Sequence, residues 1–250
     1  MTPVGMLRTE KLCKSFGGTV AVDSVDLNVR AASLHAIIGP NGAGKTTLFN
    51  LLAGEMRPTS GGVFFEDREI TRLDVRERSH LGIGRSFQRT NIFRALSAYE
   101  NVRVAAQSRT QASFAMWEPA TRLRDVAARA QAILDDAGLA ALAVRTAGEL
   151  AGGDQRLLEI AIALATAPKL LLLDEPSQGL SGEDALRLMA RIRTLAERYT
   201  IVLIEHNMNL VMELSDEITV MNFGSILARG TPAEIRADPQ VREAYLGSRG

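Results

Sequence analysis

The chain has little that would tie it to an oxidising or a strongly charged environment. Its 250 residues include a single cysteine, Cys13, so no disulfide can form within the chain, and one free thiol suits a reducing compartment. Lys and Arg together number 29 and are matched by 29 Asp and Glu. Without a net positive field, the composition gives no reason to expect nucleic acid as a partner.

Long apolar runs are also missing. The longest candidate, 160–173, is interrupted by Pro168 and Lys169 and falls short of the roughly 18 apolar residues that a bilayer-spanning helix requires. The N-terminus MTPVGMLRTEKL carries no apolar stretch of the kind found in secretory signals. We therefore expect a cytoplasmic chain that reaches a membrane only through a partner, with enough residues for one large domain or two lobes.

A phosphate-binding loop is the most informative segment present. Residues 39–46 fit the pattern G-x-x-x-x-G-K-[ST] between an apolar strand at 34–38 and a helix-like run at 47–53. Glycines let successive backbone N–H groups point at phosphate oxygens, and the following helix N-terminus adds partial positive charge. Lys45 is expected to reach the β- and γ-phosphates, and the Thr46 hydroxyl to ligate Mg²⁺. The predicted nucleotide-binding residues of this segment are Gly39, Pro40, Asn41, Gly42, Ala43, Gly44, Lys45, Thr46 and Thr47.

Two carboxylates, Asp174 and Glu175, end the apolar run 170–173, where the carboxyl edge of a parallel sheet would lie. At that edge Asp174 is expected to hold Mg²⁺ through water, opposite Thr46. Glu175 would face the γ-phosphate and orient or deprotonate the attacking water, a role worth roughly 10²–10⁴-fold in rate. Strand ends often carry acidic residues without a function, but the phosphate loop in the same chain favours the catalytic interpretation.

Residues 149–155 form another small-residue turn, Glu-Leu-Ala-Gly-Gly-Asp-Gln, directly before a helix-like run at 156–167. A turn that leads into a helix N-terminus is a second anion site on the same chain. One nucleotide has no use for two such loops so far apart in sequence. The economical explanation is that one of them serves an ATP held by another subunit.

The distribution of apolar residues predicts an α/β fold. Alternation at 7–16 and 20–29 is typical of antiparallel strands. Continuous apolar strands at 170–173 and 201–204 instead indicate a parallel sheet covered on both faces. We therefore predict a P-loop NTPase core with a mainly parallel sheet and an N-terminal antiparallel β part.

An all-helical part is inserted into this core. From about residue 91 to residue 167 the sequence is rich in Ala, Arg and Leu at helical spacing. Gly138 ends one of the predicted helices. The apolar face of that helix comprises Val126, Ala130, Ile133, Leu134 and Ala137. The predicted division is a RecA-like P-loop core at 1–90 and 168–250 and a helical signature subdomain at 91–167.

Together these motifs resemble those of the ATPase subunits of ATP-binding cassette (ABC) transporters. The phosphate loop, the signature-like LAGGDQ, the LLLLDEP strand and the later IEH occur in that family's order over nearly the whole chain. The resemblance implies ATP and Mg²⁺ as ligands and two subunits packed head to tail. Each ATP then lies between the phosphate loop of one subunit and the signature loop of the other. The signature residues expected to contact the partner's ATP are Leu150, Ala151, Gly152, Gly153, Asp154 and Gln155.

The same resemblance implies roles for residues outside these motifs. Gln88 matches the glutamine loop, and is implied as a catalytic residue and Mg²⁺ ligand that links the nucleotide site to the helical subdomain and the membrane partner. His206 matches the switch histidine at the γ-phosphate, and Phe16 matches the aromatic that stacks on adenine. Residues 177–181 match the loop that communicates across the dimer. The alternatives are that Phe16 belongs to the core, that Gln88 is a solvent-facing polar residue and that His206 caps a helix.

Within the family, the segments FGGTVAVDSVDLNV, GIGRSFQ and RLLEIAIALATAPKLLLLDEP are similar to the ATP-binding subunits of branched-chain amino acid importers. This similarity implies ATP hydrolysis at the inner face of the cell membrane, integral membrane permeases and, indirectly, a solute-binding protein. The permease contact is expected near Gln88, Ile92, Phe93 and Leu96. Subunits serving urea, short amides or lipopolysaccharide share much of the pattern and stay open as alternatives. A non-transport ABC protein and a weakly hydrolysing regulatory ATP-binding module also stay open.

Two positions depart from the family pattern. Ala151 stands where the signature usually carries Ser, so the hydroxyl that would contact the partner's γ-phosphate is missing. A hydrogen bond to a charged group contributes about 1.5–3 kcal/mol, so closure over that ATP is expected to weaken roughly tenfold or more. Ser181-Gly182 stands where relatives carry Asn-Pro, which loosens the turn. Because the site built on this chain's own Glu175 has its full motif set, we expect a heterodimer with unequal sites rather than a homodimer.

Overall fold

The computed structural model describes residues 5–86, 92–108 and 120–246. In these ranges the strands, numbered in chain order, are β1 (Leu7–Phe16), β2 (Thr19–Val25), β3 (Asn28–Val29), β4 (Leu34–Ile38), β5 (Ser60–Phe65), β6 (Arg68–Glu69), β7 (Ile83–Arg85), β8 (Leu170–Asp174), β9 (Thr200–Ile204), β10 (Glu217–Asn222) and β11 (Ser225–Gly230). The helices are α1 (Lys45–Ala53), α2 (Val75–Leu81), α3 (Ala98–Gln107), α4 (Ala120–Ala137), α5 (Gly152–Ala165), α6 (Gly182–Ala196), α7 (Met208–Leu214), α8 (Pro232–Ala237) and α9 (Pro239–Leu246). Short 3-10 turns at Ala140–Leu142 and Ala147–Glu149 lead into α5.

A six-stranded sheet in the order β11-β10-β4-β9-β8-β7 forms the centre of the fold. Strands β10, β4, β9, β8 and β7 run parallel to one another, and β11 is antiparallel to β10. Every residue of β4, β8 and β9 is buried, because other elements cover both faces of the sheet. The carboxyl ends of these three strands meet at one edge, so the loops that follow them lie side by side. The predicted α/β fold with a mainly parallel sheet is confirmed.

The two faces of the central sheet contribute to different cores. Leu171 and Leu173 of β8 belong to a core shared with helices α3 to α6. Leu170 and Leu172 of the same strand pack with α1 and the N-terminal sheet. A third, smaller core lies between β4, β10 and helices α7 to α9. Successive side chains of β8 therefore pack alternately into two separate cores, one on each face of the sheet.

Helices α3, α4 and α5 form the helical part of the chain. The apolar face predicted for α4 is buried in the first core, and Gly138 ends the helix with a φ of 73°. The residues of this face are Val126, Ala130, Ile133, Leu134 and Ala137. None of the helices in the described ranges combines the length and the apolar character that crossing a bilayer demands.

The N-terminal antiparallel sheet has the order β2-β1-β5-β6, and β3 also pairs with β1. The single strand predicted at 20–29 is wrong at Asp26 and Leu27, which separate β2 from β3. Side chains supply part of the hydrogen bonding at this point, beside a backbone bond from Thr9 N to Leu27 O at 2.8 Å. The Asp26 carboxylate accepts from Lys11 N at 2.6 Å, and the Thr9 hydroxyl accepts from Leu27 N at 2.8 Å. Such competition between side chains and backbone leaves no trace in the alternation of apolar residues.

Arg78 in α2 is the bulkiest of the fully buried side chains, at 1% exposure. Its guanidinium donates to the carbonyl oxygens of Leu51 and Leu52 at 2.7 Å, Ile70 at 2.8 Å and Leu73 at 3.1 Å. Leu51 and Leu52 lie in the last turn of α1, so the cation satisfies carbonyls left over at a helix end and complements its dipole. Burial lowers the pKa of Arg78 to about 10, which keeps the side chain charged at neutral pH.

We expect Arg78→Met to lower the free energy of unfolding by about 3 kcal/mol, because several buried carbonyls lose their donor. The stability of Arg78→Lys should lie between that of the unchanged chain and that of Arg78→Met, since lysine keeps the charge but not the planar fork of donors. Urea denaturation measures both effects. Arg76→Met, on the exposed side of the same helix, is the matched control and should change stability by less than about 0.5 kcal/mol. Equal losses at the two positions would contradict the capping role of Arg78.

Candidate nucleotide-binding site

The loop between β4 and α1 follows a course that favours glycine. Gly42 has a φ of 81° and Gly44 a φ of 96°, both in the left-handed region. A Cβ at Gly44 would lie 2.2 Å from the backbone oxygen of Ala21 in β2, so a larger residue would force loop and strand apart. Gly44 is also the N-cap of α1, where no side chain caps the helix. The N–H groups of the first turn of α1 therefore have no side-chain acceptor and suit a phosphate.

Lys45 begins α1 and folds back over the loop. Its ammonium group donates to Gly39 O at 2.7 Å and to Pro40 O at 3.0 Å, and the residue is 6% exposed. Burial lowers the pKa of Lys45, while the negative charges of Glu175 and Asp174 act in the opposite direction. Two neutral carbonyls are weaker partners for an ammonium group than phosphate oxygens are. The geometry thus holds the cation beside the loop, where a phosphate would compete for it.

A cleft of about 250 Å³ lies over the phosphate loop. Its lining residues are Ala21, Asn41, Gly42, Ala43, Gly44, Lys45, Thr46, Thr47, Glu175 and His206. The structure therefore brings together most of the predicted loop residues, the predicted catalytic carboxylate and the predicted switch histidine. These residues come from β2, from the β4–α1 segment and from the loops after β8 and β9. Only the packing of separate parts of the chain can assemble such a set.

Phe16 lies at the end of β1 and does not line this cleft. The residue is 49% exposed, so the alternative in which Phe16 belongs to the core is wrong. The ammonium nitrogen of Lys14 lies 5.2 Å from the centre of its ring, within the range of a cation–π contact. The ring is accessible, and Phe16 is joined by a short turn to β2, which contributes Ala21 to the cleft.

Asp174 ends β8 with both carboxylate oxygens buried and without a hydrogen-bond partner. Arg85 Nη2 lies 3.9 Å from Oδ2, while the same guanidinium pairs with Glu55 at 2.8 Å and Asn50 Oδ1 at 3.1 Å. Burial raises the pKa of Asp174, and the charge of Arg85 opposes this shift. A buried carboxylate without donors is satisfied by a divalent cation. Asp174 therefore fits the predicted role as an Mg²⁺ ligand, and the role of Thr46 stays a prediction.

Glu175 and His206 are in direct contact. His206 Nε2 and Glu175 Oε1 form a hydrogen bond, although the two residues follow different strands. Glu175 has a left-handed φ of 48°, which is uncommon for a residue with a side chain, and its N–H donates to Ile204 O at 2.9 Å. The alternative in which His206 caps α7 is wrong, because Asn207 is the N-cap and its side chain accepts from Leu210 N.

The signature-like turn forms the N-terminus of α5. The helix predicted at 156–167 starts earlier, at Gly152, because the Gly-Gly-Asp-Gln segment makes its first turn. Ala151 is the N-cap and offers no side-chain acceptor. Gln155 Nε2 donates back to the backbone of the turn at 2.9 Å, and Asp154 pairs with an arginine of α6 at 3.2 Å. The residues placed together here are Leu150, Ala151, Gly152, Gly153, Asp154 and Gln155, and none of them lines the cleft over the phosphate loop.

Two charged residues that the sequence analysis did not single out belong to this region. Arg85 reaches toward Asp174 from β7, and Glu205 directly follows β9 with an exposure of 3%. The Glu205 carboxylate accepts from Ser177 N at 2.9 Å and from His206 N at 3.0 Å. A charged residue directly after a buried strand was the available signal for Glu205. Gln88 lies outside the described residues, so its catalytic and metal-binding roles stay predictions.

Comparison with known proteins identifies the family. A family model described as "ABC transporter" matches residues 22–178, and one described as "Branched-chain amino acid ATP-binding cassette transporter" matches residues 225–250. The high-affinity branched-chain amino acid transport ATP-binding protein LivG of Salmonella typhimurium is 42% identical, covering 97% of this chain and 98% of LivG. The lipopolysaccharide export system ATP-binding protein LptB of Acidithiobacillus ferridurans is 35% identical, covering 97% of each chain.

Solved structures lead to the same family. An ATP-binding cassette of an ABC transporter in its ADP conformation matches with a TM-score of 0.83 at 32% identity, covering 97% of this chain and 98% of that one. A dimeric cassette in a post-hydrolysis state, bound to ADP and phosphate, matches with a TM-score of 0.74 at 26% identity, covering 91% and 99%. The fold and the cleft define a P-loop ATPase. The chain belongs to the ABC transporter family, as one of its ATP-binding and ATP-hydrolysing subunits.

We expect Asp174→Asn to raise the stability of the nucleotide-free chain by about 1 kcal/mol, because the change removes a buried charge that lacks donors. The raised pKa of Asp174 leads to the same expectation for stability. The folded state disfavours the ionised carboxylate, so protonation of Asp174 at lower pH, like its replacement, favours folding. Thermal unfolding without nucleotide measures the gain, and the stabilisation that Mg-ATP adds should shrink in the variant.

Asp125→Asn, at an exposed position of α4, is the control and should leave both unfolding midpoints unchanged. A lower midpoint for nucleotide-free Asp174→Asn than for the unchanged chain would contradict the assignment of Asp174 as a carboxylate awaiting a cation.

Proposed function

We propose that this subunit powers the import of branched-chain amino acids by hydrolysing ATP in the cleft over the phosphate loop. The observation that carries the proposal is the convergence of Lys45, Glu175 and His206 on that cleft from three separate loops. A regulatory module with little hydrolysis would have no need for a carboxylate and a histidine in contact beside the phosphate loop. The direct Glu175–His206 contact therefore favours an active ATPase.

The predicted site residues would divide the work of hydrolysis between them. Thr46 and Asp174 would hold Mg²⁺, with Gln88 as a further ligand. When bound, Mg²⁺ neutralises the charge that develops on the phosphate oxygens. Glu175 would orient the attacking water and accept its proton, while His206 holds the carboxylate from one side. The His206 side chain is 45% exposed, so it is free to reach a γ-phosphate that enters the cleft.

A second cassette subunit would complete the site. The signature turn of this chain does not line the cleft over its own phosphate loop, so an ATP in that cleft would meet a signature turn only from a partner. The dimeric post-hydrolysis cassette gives a precedent for this assembly. We propose a head-to-tail dimer with a different cassette subunit, because Ala151 weakens the site that this chain's signature completes.

The permease would dock on the helical part, beside the segment that carries Gln88. A cavity of about 210 Å³ between β7 and α5 is lined in part by Ser86, the last described residue before that segment. Phe93 and Leu96 are 60% and 38% exposed, and Ile92 packs against the core that contains helices α3 to α6. A mainly apolar cavity and exposed apolar side chains suit contact with a short helix of a membrane subunit. Such docking would hold the chain at the inner face of the membrane, with the solute-binding protein on the opposite side.

Branched-chain amino acids are the solutes that the similarities favour. Identity to LivG is 42%, against 35% to LptB, at the same coverage of this chain. The C-terminal segment 225–250 also matches the model described for branched-chain amino acid cassettes. Lipopolysaccharide is less favoured for these reasons, and urea and short amides stay as alternatives. Uptake of radiolabelled leucine, urea and acetamide by cells carrying or lacking this gene would decide between importers; uptake of none would count against the import proposal.

We expect Glu175→Gln to lower kcat for ATP about 10³-fold while leaving the Kd for ATP within about threefold, because the carboxylate acts on water rather than on the phosphates. Phosphate release and binding of a fluorescent ATP analogue measure the two quantities. Glu183→Gln, exposed in the first turn of α6, should change neither. A Glu175→Gln variant that keeps more than about a tenth of the kcat would rule out the proposed role.

We expect Ala151→Ser to tighten ATP-dependent self-association about tenfold, because it supplies the missing hydroxyl to the opposing γ-phosphate. The measurement is sedimentation of the full chain with ATP in a Glu175→Gln background, which slows hydrolysis. Ser at this N-cap should also stabilise the monomer by about 1 kcal/mol, so unfolding is measured separately. Ala140→Ser, exposed in the same part of the fold, is the control. Unchanged association despite a more stable monomer would show that the hydroxyl is not what limits closure.

A further inference from the structure

A buried carboxylate, Glu205, joins the loops after β8 and β9. The residue is 3% exposed. Its Oε1 accepts from Ser177 N at 2.9 Å, and its Oε2 accepts from His206 N at 3.0 Å. One side chain thus connects the loop that begins with Glu175 to the backbone of the histidine that contacts it. Glu205 itself does not line the cleft.

The two loops need such a connection because the sheet no longer pairs them. The ladder between β8 and β9 ends with Asp174 opposite Ile204. Beyond it, the backbone bond from Glu175 N to Ile204 O at 2.9 Å is a single link, and Glu175 there has a left-handed φ of 48°. The two bonds to Glu205 continue the connection past the end of the ladder. One of these bonds holds Ser177, in the loop that begins with Glu175, and the other holds the backbone of His206.

The chemistry of this link calls for a carboxylate. An ionised carboxylate is an acceptor at both oxygens, so it can accept from two backbone N–H groups at once. A hydrogen bond to an ionised carboxylate is stronger than one between neutral groups. Glutamine has the same shape but would turn its NH₂ group toward one of the two N–H donors. Aspartate keeps the charge but is one methylene shorter, so it cannot reach both donors with the backbone in place.

We propose that Glu205 is a positioning residue for ATP hydrolysis, which holds Glu175 and His206 in register by linking their two loops. This inference rests on the catalytic roles proposed above for Glu175 and His206. The Glu205 carboxylate fixes the position of Glu175 relative to His206. It has no contact with the phosphate loop, so ATP binding does not depend on it.

The first test is the kinetics of Glu205→Gln in the full chain. We expect kcat to fall about 10- to 100-fold, as for a misplacement of catalytic groups, with KM and the Kd for ATP within about twofold. Glu205→Asp should recover part of the loss, and it also serves if the glutamine variant does not fold. Glu213→Gln, exposed on the neighbouring α7, is the matched control and should behave as the unchanged chain. An unchanged kcat for Glu205→Gln, or a loss confined to KM, would overturn the proposal.

The second test separates positioning from a general loss of structure. We expect Glu205→Gln to change kcat by less than about twofold in a His206→Ala background, because the pair it positions is already broken. A full additional loss in that background overturns the proposal. If His206→Ala alone leaves kcat unchanged, the role proposed for His206 fails first. If His206→Ala lowers kcat and Glu205→Gln does not, only the inference about Glu205 fails.

Discussion

The register of three parallel strands determines where the chemical groups of the site lie. Strand β9 is paired on one side so that Ile204 lies opposite Ile37, and on the other so that it lies opposite Asp174. Because alternate residues of these strands enter two different cores, a slip of one residue would exchange the side chains of the two layers. The loops that leave the strands therefore start from fixed points. Short contacts such as that of Glu175 with His206 can then complete the site.

The edge of the sheet gathers more negative charge than its own cations can satisfy. Asp174 and Glu205 are buried, and Glu175 is mostly so, while Lys45 gives its hydrogen bonds to carbonyls of the loop. Arg85 stays 3.9 Å from Asp174 and divides its charge among other partners. A folded chain tolerates such an arrangement where a ligand supplies the missing partners, at the expense of stability without the ligand.

How far the sequence could predict the site depends on how local each signal is. The phosphate loop and the Asp174–Glu175 pair are contiguous, so their residues and strand context were sufficient. Glu205 and Arg85 act on groups brought close only by tertiary packing, and their positions along the chain do not specify these partners. The difference between local and tertiary signals also decides which parts of the fold could be predicted. The buried face of α4 follows from periodicity, whereas the break at 26–27 depends on side chains from a neighbouring strand.

Helix capping gives a physical reason to expect a second subunit. Among the helices whose first turn is described, six are preceded by a side chain that accepts from the backbone of that turn: Asp74, Ser97, Ser181, Asn207, Thr231 and Asp238. Helices α1 and α5 begin instead with Gly44 and Ala151, which have no acceptor to offer. Their first-turn donors are thus left for an anion. The donors of α1 border the cleft over the phosphate loop, but those of α5 do not line that cleft, so a nucleotide held by this chain's phosphate loop would not meet them.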